Sequence, residues 1–282
     1  MPDKYPGPLK RLVKTIASHL RSPEPVTLFE GDSEYAHITV RDNGDVRTLY
    51  FGPLAMEAET SISLSQPDAP IFEYPGMMFL SLALSPRNAN ILMLGLGGGY
   101  IPRLFQEYLP NHNLTVVEID PLVAEIASTY FFFAPGANVR LIVEDGYKHI
   151  LESPRSAYDQ IWLDAFSGNY IPSHLATEEF LEICRLHVEP EGLLVQNLHV
   201  TRLYDFGRQL RRTVNVFGAR PLLYEGTRCG NAIAISLNSP AGVPALADWQ
   251  IKEAALKFGA KIGPYNLLEE LRKKSKEAKY FL

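Results

Sequence analysis

The residues best suited to do chemistry are glycines and acids that follow apolar runs in the middle of the chain. The run at 91–94 ends in four glycines within five residues, and later apolar runs end in acids. The candidate site residues are Gly95, Gly97, Gly98, Gly99, Glu118, Asp145, Gly146 and Asp164. A glycine loop lets the backbone lie close to a ligand, and carboxylates accept hydrogen bonds from hydroxyl and amino groups. The pattern predicts a nucleoside site with an acid that can take up a proton.

Each acid has a binding role and a plainer structural alternative. Glu118 lies roughly 20 residues after the glycine loop, where an acid accepts both hydroxyls of a ribose, but it could also cap a helix. Asp145 could accept a hydrogen bond from an adenine amino group, although Asp-Gly pairs are common in turns. Asp164 ends a strand beside the expected reactive end of the ligand, and its alternative role is an N-cap or a turn. The series of acids favours the binding roles.

An alternation of strands and helices must position these residues, and it predicts an α/β fold with a doubly wound parallel sheet. The predicted strands are 91–94, 114–117, 139–143, 159–163 and 193–198, with 219–224 and 232–237 as a closing antiparallel pair. The predicted helices are 74–84, 101–109, 122–130, 177–187 and 203–216, with a short one through 150. Thr177 is expected to be an N-cap, and residues 190–192 are expected to turn into the fifth strand.

The chain before this alternation is rich in β-branched and aromatic residues, and Asp42-Asn43-Gly44-Asp45 is a hairpin signal. We expect an N-terminal amphipathic helix and linker at 1–25, a small antiparallel β domain at 26–70, a Rossmann-like nucleoside-binding domain at 71–240 and a C-terminal helical tail at 241–282, broken at Gly263-Pro264. The basic N-terminal helix could lie on a membrane surface. Packing on the protein's own body or on a second subunit is favoured.

Composition narrows the class of protein. The chain has 282 residues, 46% of them hydrophobic and 21% charged, as in ordinary soluble globular proteins. A net charge of −5 gives no reason to expect nucleic acid as a partner. Cys184 and Cys229 are too few for a disulfide framework and indicate a reducing compartment. With no apolar run near the roughly 20 residues of a membrane span and no secretory signal, a cytoplasmic protein without a membrane partner is expected.

The spacing of the glycines separates two classes of ligand. Dinucleotide-binding loops usually read G-x-G-x-x-G, whereas this loop has its third glycine one place early and Tyr100 at the sixth position. A G-x-G-x-G loop with acids at three later strand ends suits a single nucleoside that carries a sulfonium. S-adenosylmethionine or its decarboxylated form is therefore favoured over NAD, and no metal is expected.

From about residue 32 to 237 the chain resembles the spermidine synthase (polyamine aminopropyltransferase) family. The matching segments are Ser33-Glu34-Tyr35, Gly95-Leu96-Gly97-Gly98-Gly99, Val117-Glu118-Ile119-Asp120, Glu144-Asp145-Gly146, residues 158–164, Glu178-Glu179-Phe180 and residues 190–196. The resemblance implies a small N-terminal β domain followed by a methyltransferase-like Rossmann domain. It also implies a homodimer.

The resemblance assigns a role to each candidate residue. The loop from Gly95 to Gly99 would hold the methionine-derived part of the co-substrate, Glu118 its ribose, and Asp145 with Gly146 its adenine. Asp164 would orient or deprotonate an attacking amine. The co-substrate would be decarboxylated S-adenosylmethionine or S-adenosylmethionine, and the acceptor a small-molecule amine.

Several positions depart from the family's pattern. Gly98 stands where the family's loop usually has an acid, and Ser167 stands where a second strand-end acid is usual. The family's Tyr-His-Glu appears as Tyr74-Pro75-Gly76, and its glutamine after Ser-x-Tyr is Ala36. Fewer acids weaken the grip on a polyamine, because unpaired buried ammonium groups are costly. Losing the loop acid also removes a repulsion against a co-substrate carboxylate.

Three functions follow, in order of preference. The first is aminopropyl transfer from decarboxylated S-adenosylmethionine to an amine, with Asp164 as base. The second is methyl transfer from S-adenosylmethionine, and the third is nucleoside binding without catalysis. Glu73, Glu178 and Glu225 could be amine partners or surface acids. His174 could be a general base or simply hydrogen-bond a neighbour.

Overall fold

The computed structural model describes residues 24–53, 55, 57–84, 88–166, 171–200, 203–226, 230–239, 261–262 and 265–266. The predicted N-terminal helix, Ser167, Cys229 and most of the predicted C-terminal tail lie outside these residues.

A four-stranded antiparallel sheet comes first in the chain. Its strands are β1 (Val26–Asp32), β2 (His37–Asn43), β3 (Val46–Phe51) and β4 (Glu57–Ser63), in the spatial order of the sequence. The hairpin between β2 and β3 turns at Gly44, whose φ of 61° suits glycine, so the hairpin prediction is confirmed.

The second sheet has seven strands: β5 (Asn90–Leu94), β6 (Asn113–Glu118), β7 (Val139–Val143), β8 (Tyr158–Leu163), β9 (Val188–His199), β10 (Leu222–Glu225) and β11 (Asn231–Leu237). Their spatial order is β10-β11-β9-β8-β5-β6-β7. Neighbours from β9 to β7 are parallel, whereas β11 is antiparallel to β9 and β10. The predicted doubly wound α/β sheet and its closing antiparallel pair are confirmed.

The helices are α1 (Tyr74–Phe79), α2 (Tyr100–Tyr108), α3 (Pro121–Tyr130), α4 (Gly146–Glu152), α5 (Glu178–His187) and α6 (Leu203–Phe217). Thr177 caps α5 as predicted, since its Oγ1 accepts a hydrogen bond from the Phe180 N–H at 3.1 Å. The helix predicted at 74–84 is α1 followed by a 3₁₀ helix at Leu80–Leu84. Within the described ranges, no helix is both long and apolar enough to cross a bilayer.

Strand β9 differs from the prediction. Residues 190–192, expected to turn into the strand, lie inside it as a bulge. Tyr158 and Gln160 of β8 pair with Val188 and Leu193, so four residues of β9 lie opposite one residue of β8. A Pro-Glu-Gly segment is compatible with a turn before a strand and with a bulge inside one. Only the pairing of residues on both sides of it with β8 shows that it is a bulge.

In the tail, β12 (Lys261–Ile262) pairs with β13 (Tyr265–Asn266) as a short antiparallel ladder. The helical prediction is wrong at these four positions. Gly263 and Pro264 separate the two segments in the sequence, and both residue types interrupt helices.

Both faces of β5 are buried, as a strand without polar alternation requires. Leu92 and Leu94 belong to one apolar cluster, and Ile91 and Met93 belong to another. The second cluster also contains Leu49 of β3. The small sheet and the central sheet therefore share a core, and the boundary at residues 70–71 stays a prediction.

Candidate functional site

A cavity of about 360 Å³ lies at the carboxyl ends of the central parallel strands. The predicted site residues that line it are Gly95, Gly97, Glu118, Asp145, Gly146 and Asp164. Gly98 and Gly99 are buried and are not part of this lining. The structure thus brings the three predicted acids together at one edge of the sheet.

The cavity wall is acidic. Its carboxylate residues are Glu59, Glu118, Asp120, Asp145 and Asp164. The described lining also includes His174 and His199 but no lysine or arginine. Such a wall favours a cationic ligand, because a cleft concentrates the potential of the charges around it.

The glycine loop is held closely on two sides. A Cβ at Gly95, whose φ is 96°, would overlap the carbonyl oxygen of Asp164. The Gly98 N–H donates to Thr60 Oγ1 of β4 at 2.8 Å. A Cβ at Gly98 would lie 2.8 Å from Thr60 Cγ2 and 3.0 Å from the ring of Phe131. Gly95 therefore lets the loop approach the Asp164 strand, and Gly98 lets the small sheet pack on the loop.

Glu118 is buried at the end of β6 and ties that strand to the glycine loop. Its Oε2 accepts from the Leu96 N–H at 2.9 Å, and its Oε1 accepts from the Asp120 N–H at 3.0 Å. Burial raises the pKa of Glu118, while these donors act in the opposite direction. The helix cap belongs to Asp120, which accepts from the Leu122 N–H at 2.9 Å. Since a carboxylate can accept about four hydrogen bonds, Glu118 retains capacity for a ligand hydroxyl.

Asp145 has a structural role and also lines the cavity. Its Oδ1 accepts from the Tyr147 N–H at 2.7 Å and caps α4. A Cβ at Gly146 would lie 2.9 Å from the side chain of Leu94, so the first turn of α4 packs closely on β5. The structural alternative is therefore present, and the adenine-binding role stays a prediction.

Asp164 follows β8 directly and belongs to a row of polar side chains. Its Oδ1 accepts from Asn197 Nδ2 at 2.7 Å, and Asn197 Oδ1 accepts from Asn231 Nδ2 at 2.9 Å. Burial raises the pKa of Asp164 to about 7, although the hydrogen bond from Asn197 lowers it. A carboxyl group with this pKa is divided between its acidic and basic forms at neutral pH, which suits proton transfer.

Two histidines also line the cavity wall. The ring of His199 contacts Phe166 edge to face, with centroids 4.9 Å apart. His174 is exposed, and its ring centroid lies 6.5 Å from that of Tyr147. A role for His174 as a base stays a hypothesis.

The three acids named above as possible amine partners, Glu73, Glu178 and Glu225, do not line the cavity. Glu178 Oε1 accepts from Asn215 Nδ2 at 2.8 Å in an exposed pair. Tyr100 is buried and donates from its hydroxyl to the Asp68 carbonyl oxygen at 2.9 Å, so it packs between segments.

Sequence reasoning missed several polar residues of the cavity wall, among them Glu59, Asp120, Asn197, His199 and Asn231. Asn197 carried a usable signal, because an amide inside an apolar strand needs a buried partner. Asn231 and Glu59 carried none, because their placement depends on which strands lie side by side. Among the described residues, no group of three histidine, cysteine or acidic side chains is arranged to hold a metal ion.

Comparison with known proteins identifies relatives of the chain. No family model matches the chain. The polyamine aminopropyltransferase of Vibrio vulnificus is 34% identical over 231 residues, which cover 80% of this chain and 77% of that protein. The spermidine synthase of Thermotoga maritima has a similar fold, with a TM-score of 0.69 at 19% identity over 91% of this chain and 84% of that one. Human methyltransferase-like protein 13, in complex with SAH, has a TM-score of 0.58 at 22% identity over 74% and 95%.

The two structural likenesses show the fold, a methyltransferase-like Rossmann sheet preceded by a small antiparallel one. The likeness to the Vibrio enzyme extends over most of both chains at more than 30% identity. The chain therefore belongs to the spermidine synthase (polyamine aminopropyltransferase) family and is a transferase.

Proposed function

We propose that the protein transfers an aminopropyl group from decarboxylated S-adenosylmethionine to a small amine, with Asp164 as the base. The observation that carries this proposal is the Asp164 carboxyl group. It lies in the wall of the nucleoside-sized cavity, and burial raises its pKa to about 7. A base with this pKa can accept a proton from an amine at neutral pH and release it afterwards.

The nucleoside would bind along the strand ends. Glu118 would accept the ribose hydroxyls, and Asp145 with Gly146 would receive the adenine. Gly95 and Gly97 would lie against the part of the co-substrate that carries the sulfonium. Gly98 and Gly99 would act indirectly by shaping the loop, since the cavity is not lined by them.

The reaction joins two cationic reactants, which the acidic wall favours. The acceptor nitrogen bonds to the propyl carbon next to the sulfonium, the carbon–sulfur bond breaks, and the sulfur leaves as a neutral thioether with the bonding electrons. The proton of the nitrogen passes to Asp164. General-base catalysis of this kind increases the reaction rate by about 10²–10⁴-fold. Alignment of the two reactants contributes another large part of the rate increase.

Methyl transfer from S-adenosylmethionine is the second candidate, and Gly98 is the observation that favours it. The acid usual at this loop position in the family is absent, and a side chain there would have to displace Thr60 or Phe131. A donor with a carboxylate would therefore meet no repulsion from position 98. The fold of human methyltransferase-like protein 13, in complex with SAH, is related to this one.

Calorimetry with decarboxylated S-adenosylmethionine, S-adenosylmethionine and methylthioadenosine tests the proposal. We expect the decarboxylated donor and methylthioadenosine to bind. Binding of the carboxylate-bearing donor alone would support methyl transfer, and binding of none would remove the nucleoside site itself.

The same ligands test the role of Asp164. Asp164→Asn is expected to lower turnover by about 10²–10⁴-fold and to leave nucleoside affinity within a few-fold, because the base acts on the acceptor. An unchanged rate would remove Asp164 from the mechanism.

The expected homodimer is a further proposal. Sedimentation of the purified protein measures its oligomeric state.

A further inference from the structure

We infer that Asn197 and Asn231 are positioning residues: together they fix one oxygen of Asp164, leave the other oxygen for the reacting amine, and favour the charged form of the carboxyl group. This inference rests on the proposed function only for the identity of the substrate. The arrangement of the three side chains is observed in the structure and does not depend on the proposed function.

The three side chains come from three neighbouring segments of the central sheet. Asp164 follows β8, Asn197 lies near the end of β9, and Asn231 begins β11. Strand β9 pairs with β8 on one side and with β11 on the other, so Asn197 lies between its two partners. Its 2.7 Å bond to Asp164 and 2.9 Å bond from Asn231 form one continuous row.

The row has a defined direction, because an amide has a donor end and an acceptor end. Asn231 donates to the oxygen of Asn197, so the nitrogen of Asn197 faces Asp164. If the Asn197 amide turned over, its oxygen would face a carboxylate oxygen and its NH₂ group would face the NH₂ group of Asn231. Both contacts would be repulsive. With the carboxylate of Asp164 at one end of the row, Asn231 supports the orientation of Asn197 that donates to Asp164.

Burial makes this orientation important. Asn197 and Asn231 are 2% and 6% exposed, so water cannot readily replace either partner. Asp164 is pushed towards its neutral form by the loss of solvent, and the donor from Asn197 acts against that change. A neutral carboxyl group cannot accept a proton from an amine. The row keeps a useful fraction of Asp164 in its basic form.

The cavity wall contains other ionisable side chains besides Asp164. They are Glu59, Glu118, Asp120, Asp145, His174 and His199. These side chains are the same in every variant below. A difference between variants in the titration of Asp164 is therefore due to the change in Asn197 or Asn231.

The test is a titration of the Asp164 carboxyl carbon by NMR in full-length protein with ¹³C-labelled aspartate, assigned with Asp164→Asn. Asn197→Leu is expected to raise the pKa of Asp164 by about one to two pH units, because a hydrogen bond to a charged group is lost. Asn231→Leu is expected to produce a smaller shift in the same direction. The double variant should titrate like Asn197→Leu alone, since Asn231 acts only through Asn197.

The matched control is Asn215→Leu, which removes an exposed asparagine that donates to Glu178 at 2.8 Å away from the cavity wall. It should leave the titration of Asp164 unchanged. If Asn197→Leu does not fold, the titration of Asp164 in Asn231→Leu and in the milder Asn231→Ala still tests the inference.

Additive shifts in the double variant, or no shift from either Asn231 variant, would overturn the inference. Because the titration needs no substrate, a failure of the proposed function appears separately, as retained turnover in Asp164→Asn.

Discussion

The carboxyl group of Asp164 is subject to two opposing influences within a few ångströms. The surrounding protein disfavours its charge, whereas Asn197 donates to it at 2.7 Å. The resulting pKa of about 7 lies far above the 3.8 of a solvated aspartate. The contribution of this carboxyl group to the stability of the folded protein therefore depends on pH.

Protein stability should therefore depend on pH through Asp164. Because its pKa is higher in the folded chain, the folded state retains a proton that the unfolded chain has lost between about pH 4 and pH 7. The stability linked to this proton is complete below about pH 4 and is lost as the pH rises through about 7. Relative to the wild type, Asp164→Asn should gain about 4 kcal/mol in free energy of unfolding as the pH rises through this range.

Urea unfolding of both proteins at about pH 4 and about pH 8 measures this change. Glu178→Gln, which alters an exposed carboxylate outside the cavity wall, is the control and should show little change. A constant difference between wild type and Asp164→Asn at the two pH values would contradict the prediction.

At the level of elements, strand β4 supports the glycine loop from the other sheet. Thr60→Val keeps the shape of the side chain but removes the acceptor of the Gly98 N–H. Because a buried N–H left without a partner costs about 1–3 kcal/mol, we expect nucleoside affinity to fall by about fivefold or more. Calorimetry with methylthioadenosine measures the effect. Thr27→Val, at an exposed position of β1 in the same sheet, should bind normally. A wild-type affinity in Thr60→Val would refute a role for β4.

The elements themselves were largely predictable from local patterns. The β-branched-rich segment at 139–143 is β7 without a shift at either end, because no residue in it favours a turn. The bulge at 190–192 and the short ladder of β12 and β13 were not predictable, since each depends on pairing with another segment. The same distinction applies to the residues of the site. Asp164 could be found from its position after a strand, whereas Asn231 is functional only because β11 lies beside β9.

At the scale of the whole molecule, the shared apolar cluster predicts that the two sheets unfold together. Leu49 of β3 is fully buried in the cluster that also contains Ile91 and Met93 of β5. Leu49→Ala should cost about 2–5 kcal/mol and shift one common transition, because a cavity in either sheet weakens the core of both.

The fluorescence of Trp162 in the central sheet and far-UV circular dichroism, both in a Trp249→Phe background, measure this transition. Val26→Ala, at a 57% exposed position of β1, is the control and should shift it little. Two separate transitions, with Trp162 insensitive to Leu49→Ala, would show that the sheets unfold independently.

The contact between Thr60 and Gly98 also restricts how this protein can change over generations. Any side chain at position 98 meets the methyl group of Thr60 and the ring of Phe131. An acid at position 98 therefore requires Thr60 or Phe131 to move or to become smaller, so residues 60 and 131 influence whether the loop can hold an acid. Under the proposed role of position 98 in the choice of donor, a change of donor would involve a residue of the small sheet as well as the loop.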